Sequence, residues 1–123
     1  MLPIQDLDET EAWQKARQLV MEVYRASGEP AFFNDLPLRG QVRKTAVAIL
    51  SHLSEGLQKA GGEECDNLLQ KVQKLTGELR TTLYTALERG HIGSMTFDRL
   101  FELATSAERG VDSLRNWILK SGG

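Results

Sequence analysis

Few side chains in this sequence could do chemistry: two histidines, His52 and His91, a single Cys65, and scattered carboxylates. A di-iron or di-manganese site between helices needs a Glu from each of two helices and a Glu-x-x-His pair from each of the other two. Glu88-Arg89-Gly90-His91 supplies one such pair, but it falls on a glycine where a helix should end, and there is no second copy. One cysteine and two distant histidines give no zinc-ligand pair at usable spacing. Phosphotransfer bundles carry an exposed histidine with lysine three positions on and glycine four positions on. His52 and Gly56 fit, but Glu55 stands where a cation should meet the phosphate, and a carboxylate there repels it. Cys65 lies on an apolar stripe, where a thiol is inert. No GxSxG, GxxxxGK[ST] or GxGxxG occurs. No catalytic residue, metal ligand or cofactor is assigned, and the expectation is a non-enzymatic protein.

One segment is richer. LRGQVRKTAVAILSHLSEGL (Leu38 to Leu57) opens with Arg39, Arg43 and Lys44 and has no acidic residue before Glu55. Arg39 and Arg43, four apart, share a helix face. Together with Lys71, Lys74 and Arg80, should these point the same way, they would make a patch able to contact nucleic-acid phosphates. A solvated face, or ion pairs to a neighbouring helix or subunit, is the favoured reading at a net charge of −2. The same segment is apolar on more than one side. Leu38, Val42, Ala46, Ile49, Leu53 and Leu57 form a core stripe at spacings of three and four. Val47, Leu50 and Ser54 lie off it as a second, weaker stripe, a candidate interface with another copy of the chain.

The elements that hold these residues are helical throughout. All three prolines, Pro3, Pro30 and Pro37, lie in the first third, so the rest is free to form long helices. The spacing predicts helices over about residues 9–26, 37–60, 63–89 and 95–120. Asp8 with Glu11 resembles a capping box for the first, and its stripe is Trp13, Ala16, Val20 and Val23. SGEPAFFNDLP breaks the first helix, and Phe32 and Phe33 are expected to cover one end of the core. Asn34 or Asp35 caps the second helix, which ends at Gly61–Gly62. The third carries Cys65, Leu68, Val72, Leu75, Leu79, Leu83 and Ala86, widened by Leu69 and Leu87, and stops at Gly90. The fourth carries Phe97, Leu100, Ala104, Ala107, Val111, Leu114 and Ile118, a heptad-like seam. Gly56 and Gly77 inside helices point to close backbone approach; Gly110 is similar or simply tolerated. Short connections make sequential helices antiparallel neighbours. The expected fold is therefore all-α, one domain over 1–123, an antiparallel up-down-up-down four-helix bundle.

At 123 residues with 41% hydrophobic and 26% charged residues, the chain has the composition of an ordinary globular domain and needs neither disulfide nor metal to fold. Charge is spread evenly: residues 1–61 hold seven basic and eight acidic side chains, residues 62–123 eight and nine. That balance argues against a protein devoted wholly to nucleic acid. The start, MLPIQDLDET, does not read as a signal peptide, and no apolar run approaches the roughly 20 residues that span a bilayer. A lone cysteine fits a reducing cytoplasm.

Three stretches, WQKARQLVMEVYRAS (Trp13 to Ser27), QVRKTAVAILSHLSEG (Gln41 to Gly56) and TGELRTTLYTALERGHI (Thr76 to Ile92), resemble the small four-helix-bundle proteins encoded in intervening sequences of bacterial ribosomal RNA genes. In that family the first helix opens Trp-Gln-Lys-Ala-like and carries Val-Tyr near its end, matched by Trp13, Gln14, Lys15, Ala16, Val23 and Tyr24. The second has a Gln, two basic residues, a small-apolar run and an Asn-Ile-Ala-Glu-Gly ending. Gln41, Arg43, Lys44, Ala46, Ile49, Ser51, Glu55 and Gly56 match, while His52, Leu53 and Ser54 replace the Asn, Ile and Ala. Gly77-Glu78-Leu79 is a shortened form of the family's Gly-Ser-x-x-Glu-Leu. The resemblance implies a non-enzymatic cytosolic bundle that assembles into a ring-like homopentamer. It also implies kinship with the accessory proteins of diversity-generating retroelements, basic pentameric barrels that bind nucleic acid. Their basic surface is not carried over to this acidic chain. The expected partner is a further copy of the chain, with nucleic acid as the alternative.

Overall fold

The computed structural model describes residues 11–59 and 61–120, and every regular element among them is a helix. In chain order these are α1 (Glu11–Ser27), α2 (Pro30–Phe33), α3 (Leu36–Gln58), α4 (Gly62–Glu88) and α5 (Ser94–Lys120). The fold is all-α. The four long helices correspond to the four expected ones, with described ends displaced by one or two residues. The Asp8–Glu11 capping box and the expected end at Ala60 lie outside the described residues.

The break between the first two long helices differs from expectation. Pro30 opens a single helical turn, α2, with its fixed φ suited to a first position. This turn separates the two phenylalanines: Phe32 is 1% exposed and plugs the core, whereas Phe33 is 49% exposed. Only one of them covers the core end. Asp35 takes the N-cap of α3, its Oδ1 accepting from the Leu38 N–H at 3.3 Å. Gly61 (φ 104°) and Gly62 (φ 86°) turn the chain into α4. At the other end of α4, Gly90 (φ 74°) donates to the Leu87 carbonyl at 3.0 Å, and the His91 N–H reaches the Ala86 carbonyl at 2.9 Å. That pair of bonds is the Schellman stop, which needs a left-handed residue at this place.

The core follows the helical periods, with corrections. On α3 all six expected core positions are buried. On α1 the buried line is Ala12, Ala16, Leu19, Val23 and Ala26, and Trp13 and Val20 flank it half-buried. The expected stripe was therefore centred too far round the helix. On α4, Thr76 and Thr82 join the core, their hydroxyls donating to the Gln73 and Glu78 carbonyls at 2.8 and 3.0 Å. On α5, Leu103 is buried and Leu114 only partly so.

Each long helix packs against two others: α1 on α3 and α5, and α4 on α3 and α5. The start of α1 meets the end of α3, where Trp13 Nε1 donates to Ser54 Oγ at 2.8 Å. It also meets the end of α5, where a Cβ placed on Gly110 would lie 2.6 Å from Ala12 Cβ and 3.0 Å from its Cα. Gly110 is thus the residue that permits close approach. Gly56 is more relaxed, with Leu68 Cβ at 3.4 Å, and Gly77 has nothing nearer than an Arg80 nitrogen at 4.0 Å. The close approach expected at Gly77 does not occur. Gly110→Ala should lower stability by about 1–3 kcal/mol through overpacking, while Gly77→Ala should raise it by up to about 1 kcal/mol through helix propensity. Denaturant melts of the two variants check both signs.

Candidate functional site

The three cations of the opening segment sit in the first turns of α3 and are held in different ways. Arg39 lies with its guanidinium carbon 4.2 Å from the Phe33 ring centroid, and its buried Nη1 has no hydrogen-bond partner. Arg43 reaches across to the end of α1. Its Nε donates to Ser27 Oγ at 2.7 Å, its Nη2 to the Tyr24 carbonyl at 3.3 Å, and the guanidinium stacks on the Tyr24 ring at 4.5 Å. Ser27 is fully buried and its hydroxyl donates in turn to the Val23 carbonyl at 2.6 Å. Arg43 therefore closes the C-terminal end of α1, where free carbonyls and the helix dipole favour a cation. Lys44 is exposed. None of the three makes an ion pair among the described residues. Lys71 and Lys74 are exposed on α4, and Arg80 turns to α5, pairing with Glu108 at 2.7 Å. Arg80 therefore does not extend the patch.

The second stripe of α3 divides. Val47 is exposed, Leu50 packs partly buried against the core, and Ser54 accepts the Trp13 bond. The sequence pattern missed a second set of exposed apolar side chains. Tyr24, Phe33 and Leu36 are 43%, 49% and 59% exposed and lie where α1 ends and α3 begins. Their separation in sequence, across a turn and two helices, hides the patch from any periodicity. The two aromatic rings carrying arginines are part of it.

Two polar clusters hold the remaining seams. His91 has Nε2 2.8 Å from Asp35 Oδ2, which also accepts from Arg89 Nη1 at 2.8 Å, and its ring rests on Phe32. These bonds, that from His91 foremost, hold the Asp35 carboxyl below the usual carboxylate range. Between α4 and α5, Arg115 donates to both oxygens of Asp66 at 2.7 and 3.2 Å and to Gln73 Oε1 at 2.9 Å, and Gln73 in turn donates to Asp112. The Arg115 bond lowers the Asp66 pKa and raises that of Arg115.

Cys65 is buried, and burial pushes its thiol pKa up, which leaves a poor nucleophile. His52 is half-buried with a buried Nδ1 that lacks a partner. No cluster of three or more His, Cys, Asp or Glu able to hold a metal ion occurs among the described residues. Nor is any helix among them long and apolar enough to cross a membrane.

The 23S rRNA-intervening sequence protein model matches residues 8–112. The chain belongs to that family. The match takes in α1 to α4 and most of α5, and with them Arg39, Arg43, Lys44 and Val47. Among curated proteins no match is found.

Arg43→Ala should destabilise the chain by about 1–3 kcal/mol, because it removes a charged donor from the buried Ser27 hydroxyl. Arg43→Lys should recover only part, since an ammonium cannot reproduce the fork and the stack. Melting midpoints of the three chains test this ordering. Asp66, held low in the folded chain, contributes stability that is complete above the ordinary carboxylate pKa of about 4. That contribution is lost as pH falls through the lowered folded value. The melting difference between the parent and Asp66→Asn should accordingly be largest near neutrality and shrink in strong acid.

Proposed function

We propose that this chain is a non-enzymatic cytoplasmic protein that works as a homo-oligomer, five copies of an up-down-up-down four-helix bundle, in a structural or interaction role. The observation that carries the reading is the set of exposed large apolar side chains Tyr24, Phe33 and Leu36 where α1 ends and α3 begins, with Val47 exposed further along α3. Large apolar side chains gathered on one surface mark an interaction site in a way that singly scattered ones do not. Short connectors and the meeting of helix starts with helix ends favour the up-down order. The number five comes from the family resemblance, and the lone buried Cys65 fits a reducing compartment.

A nucleic-acid-binding accessory role is the second reading. In its favour, Arg39, Arg43 and Lys44 lack carboxylate partners among the described residues, and two of them lie against exposed aromatic rings, a combination suited to phosphates and stacked bases. The acidic balance of the chain and the use of Arg43 as a helix cap weigh against it.

Light scattering tests the first reading: five chains of 13.7 kDa give about 68 kDa, and a clean monomer at micromolar concentration would sink it. Titration of labelled RNA and DNA tests the second. Phosphate contacts give affinity that falls steeply with salt and is weakened by Lys44→Ala, a change at an exposed side chain. Absence of binding at low salt removes that role.

A further inference from the structure

The patch on α1 and α3 has a counterpart elsewhere on the chain. Where α4 ends and α5 begins, Tyr84 is 52% exposed and packs against Phe97 and Phe101, at ring separations of 4.9 and 5.8 Å. Phe101 also lines an open groove on α5 with Asp98 and Glu102, and Arg109 lies at its far end. Glu88, Asp98 and Glu102 are exposed and make no ion pair among the described residues. The first surface therefore carries aromatic rings beside cations that have no carboxylate partner among the described residues; the second carries aromatic rings flanked by three unpaired carboxylates, with Arg80, already paired to Glu108, 5.8 Å from the Phe101 ring centroid and Arg109 at the far end of the groove.

The two surfaces lie on different sides of the chain. Helix contacts run from α1 to α3, α3 to α4, α4 to α5 and α5 back to α1, so the α1–α3 seam and the α4–α5 seam share no helix. They nevertheless lie at the same end. Asp35 at the start of α3 is bonded to Arg89 and His91 just beyond α4, and α5 begins three residues after His91. Arg39 and Arg43 lie in the first turns of α3, as Asp98 and Glu102 do in α5.

We infer that the occupant of the α1–α3 surface is the α4–α5 surface of a second copy. In this head-to-tail contact Arg39, Arg43 and Lys44 meet Glu88, Asp98 and Glu102 around a centre of Tyr24, Phe33 and Leu36 against Tyr84 and Phe101. The inference rests on the homo-oligomer reading and names its interface. A contact between two different patches is heterologous, and one made at equal height adds no rise along the helices, which is a condition for a closed ring rather than a helical filament. Opposite charge fixes which face meets which, because like charges brought together across an interface cost several kcal/mol.

The test reverses charge on one face at a time. Arg39→Glu with Lys44→Glu makes both faces acidic; Asp98→Lys with Glu102→Lys makes both basic. Each pair should fall to a lower mass by light scattering and raise the dissociation midpoint at least about tenfold. All four substitutions in one chain restore opposite signs and should restore the parent mass. Circular dichroism confirms that each chain is folded, and if a reversed pair unfolds, Asp98→Asn with Glu102→Gln carries the same test with a smaller loss. Single-face variants that keep the mass of an oligomeric parent overturn this interface while leaving the oligomer intact. A monomeric parent instead overturns the oligomer reading and the interface with it.

Discussion

The carboxylate of Asp35 ties the helix ends together. It caps α3 through one oxygen and accepts Arg89 and His91 through the other, so a single side chain joins the start of α3 to the end of α4. His91 reaches it only because Gly90 adopts a left-handed conformation and closes the last turn of α4. Phe32, under the His91 ring, fills the end of the core beside this knot. With the ends of α3 and α4 registered, the short connector to α5 leaves little freedom in where that helix starts.

Different seams are closed by different physics. The α4–α5 seam has a ladder of polar bonds from Asp66 through Arg115 and Gln73 to Asp112, with Arg80 and Glu108 above it. The α1–α5 seam depends on the absence of a side chain at Gly110, since a Cβ there would enter Ala12. The α1–α3 seam is joined at one end by Arg43 on Ser27 and at the other by Trp13 on Ser54. Both of those residues present a large flat body as well as a donor. The surface above this seam is consequently rich in rings and guanidinium groups, and among the described residues no carboxylate pairs with Arg39 or Arg43.

Much of the architecture was legible in the sequence. The α3 stripe is unambiguous because six apolar residues hold one face without interruption. Gly61, Gly62 and Gly90 mark turns because left-handed backbone favours glycine. The α1 stripe was read too far round because Trp13 and Val20 keep the same helical spacing as Ala12 and Leu19, and only the neighbours decide which set lies deeper. Thr76 and Thr82 were missed because their hydroxyls are satisfied by their own helix, a bond that hydropathy does not register. The cations were visible as charges, but not the rings beneath them, since Tyr24 lies 19 residues before Arg43 and on another helix.

The number of long helices, their approximate ends and most of the core were determined by the sequence alone, because period, capping and glycine placement act over a few residues, whereas the short α2 turn was not. Tertiary structure decided which apolar side chains remained uncovered. Val47, Leu50 and Ser54 follow one another around α3, yet one is exposed, one packs on the core and one binds Trp13. Exposure depends on what the neighbouring helix places opposite each residue, and that neighbour is brought there by contacts distant in sequence.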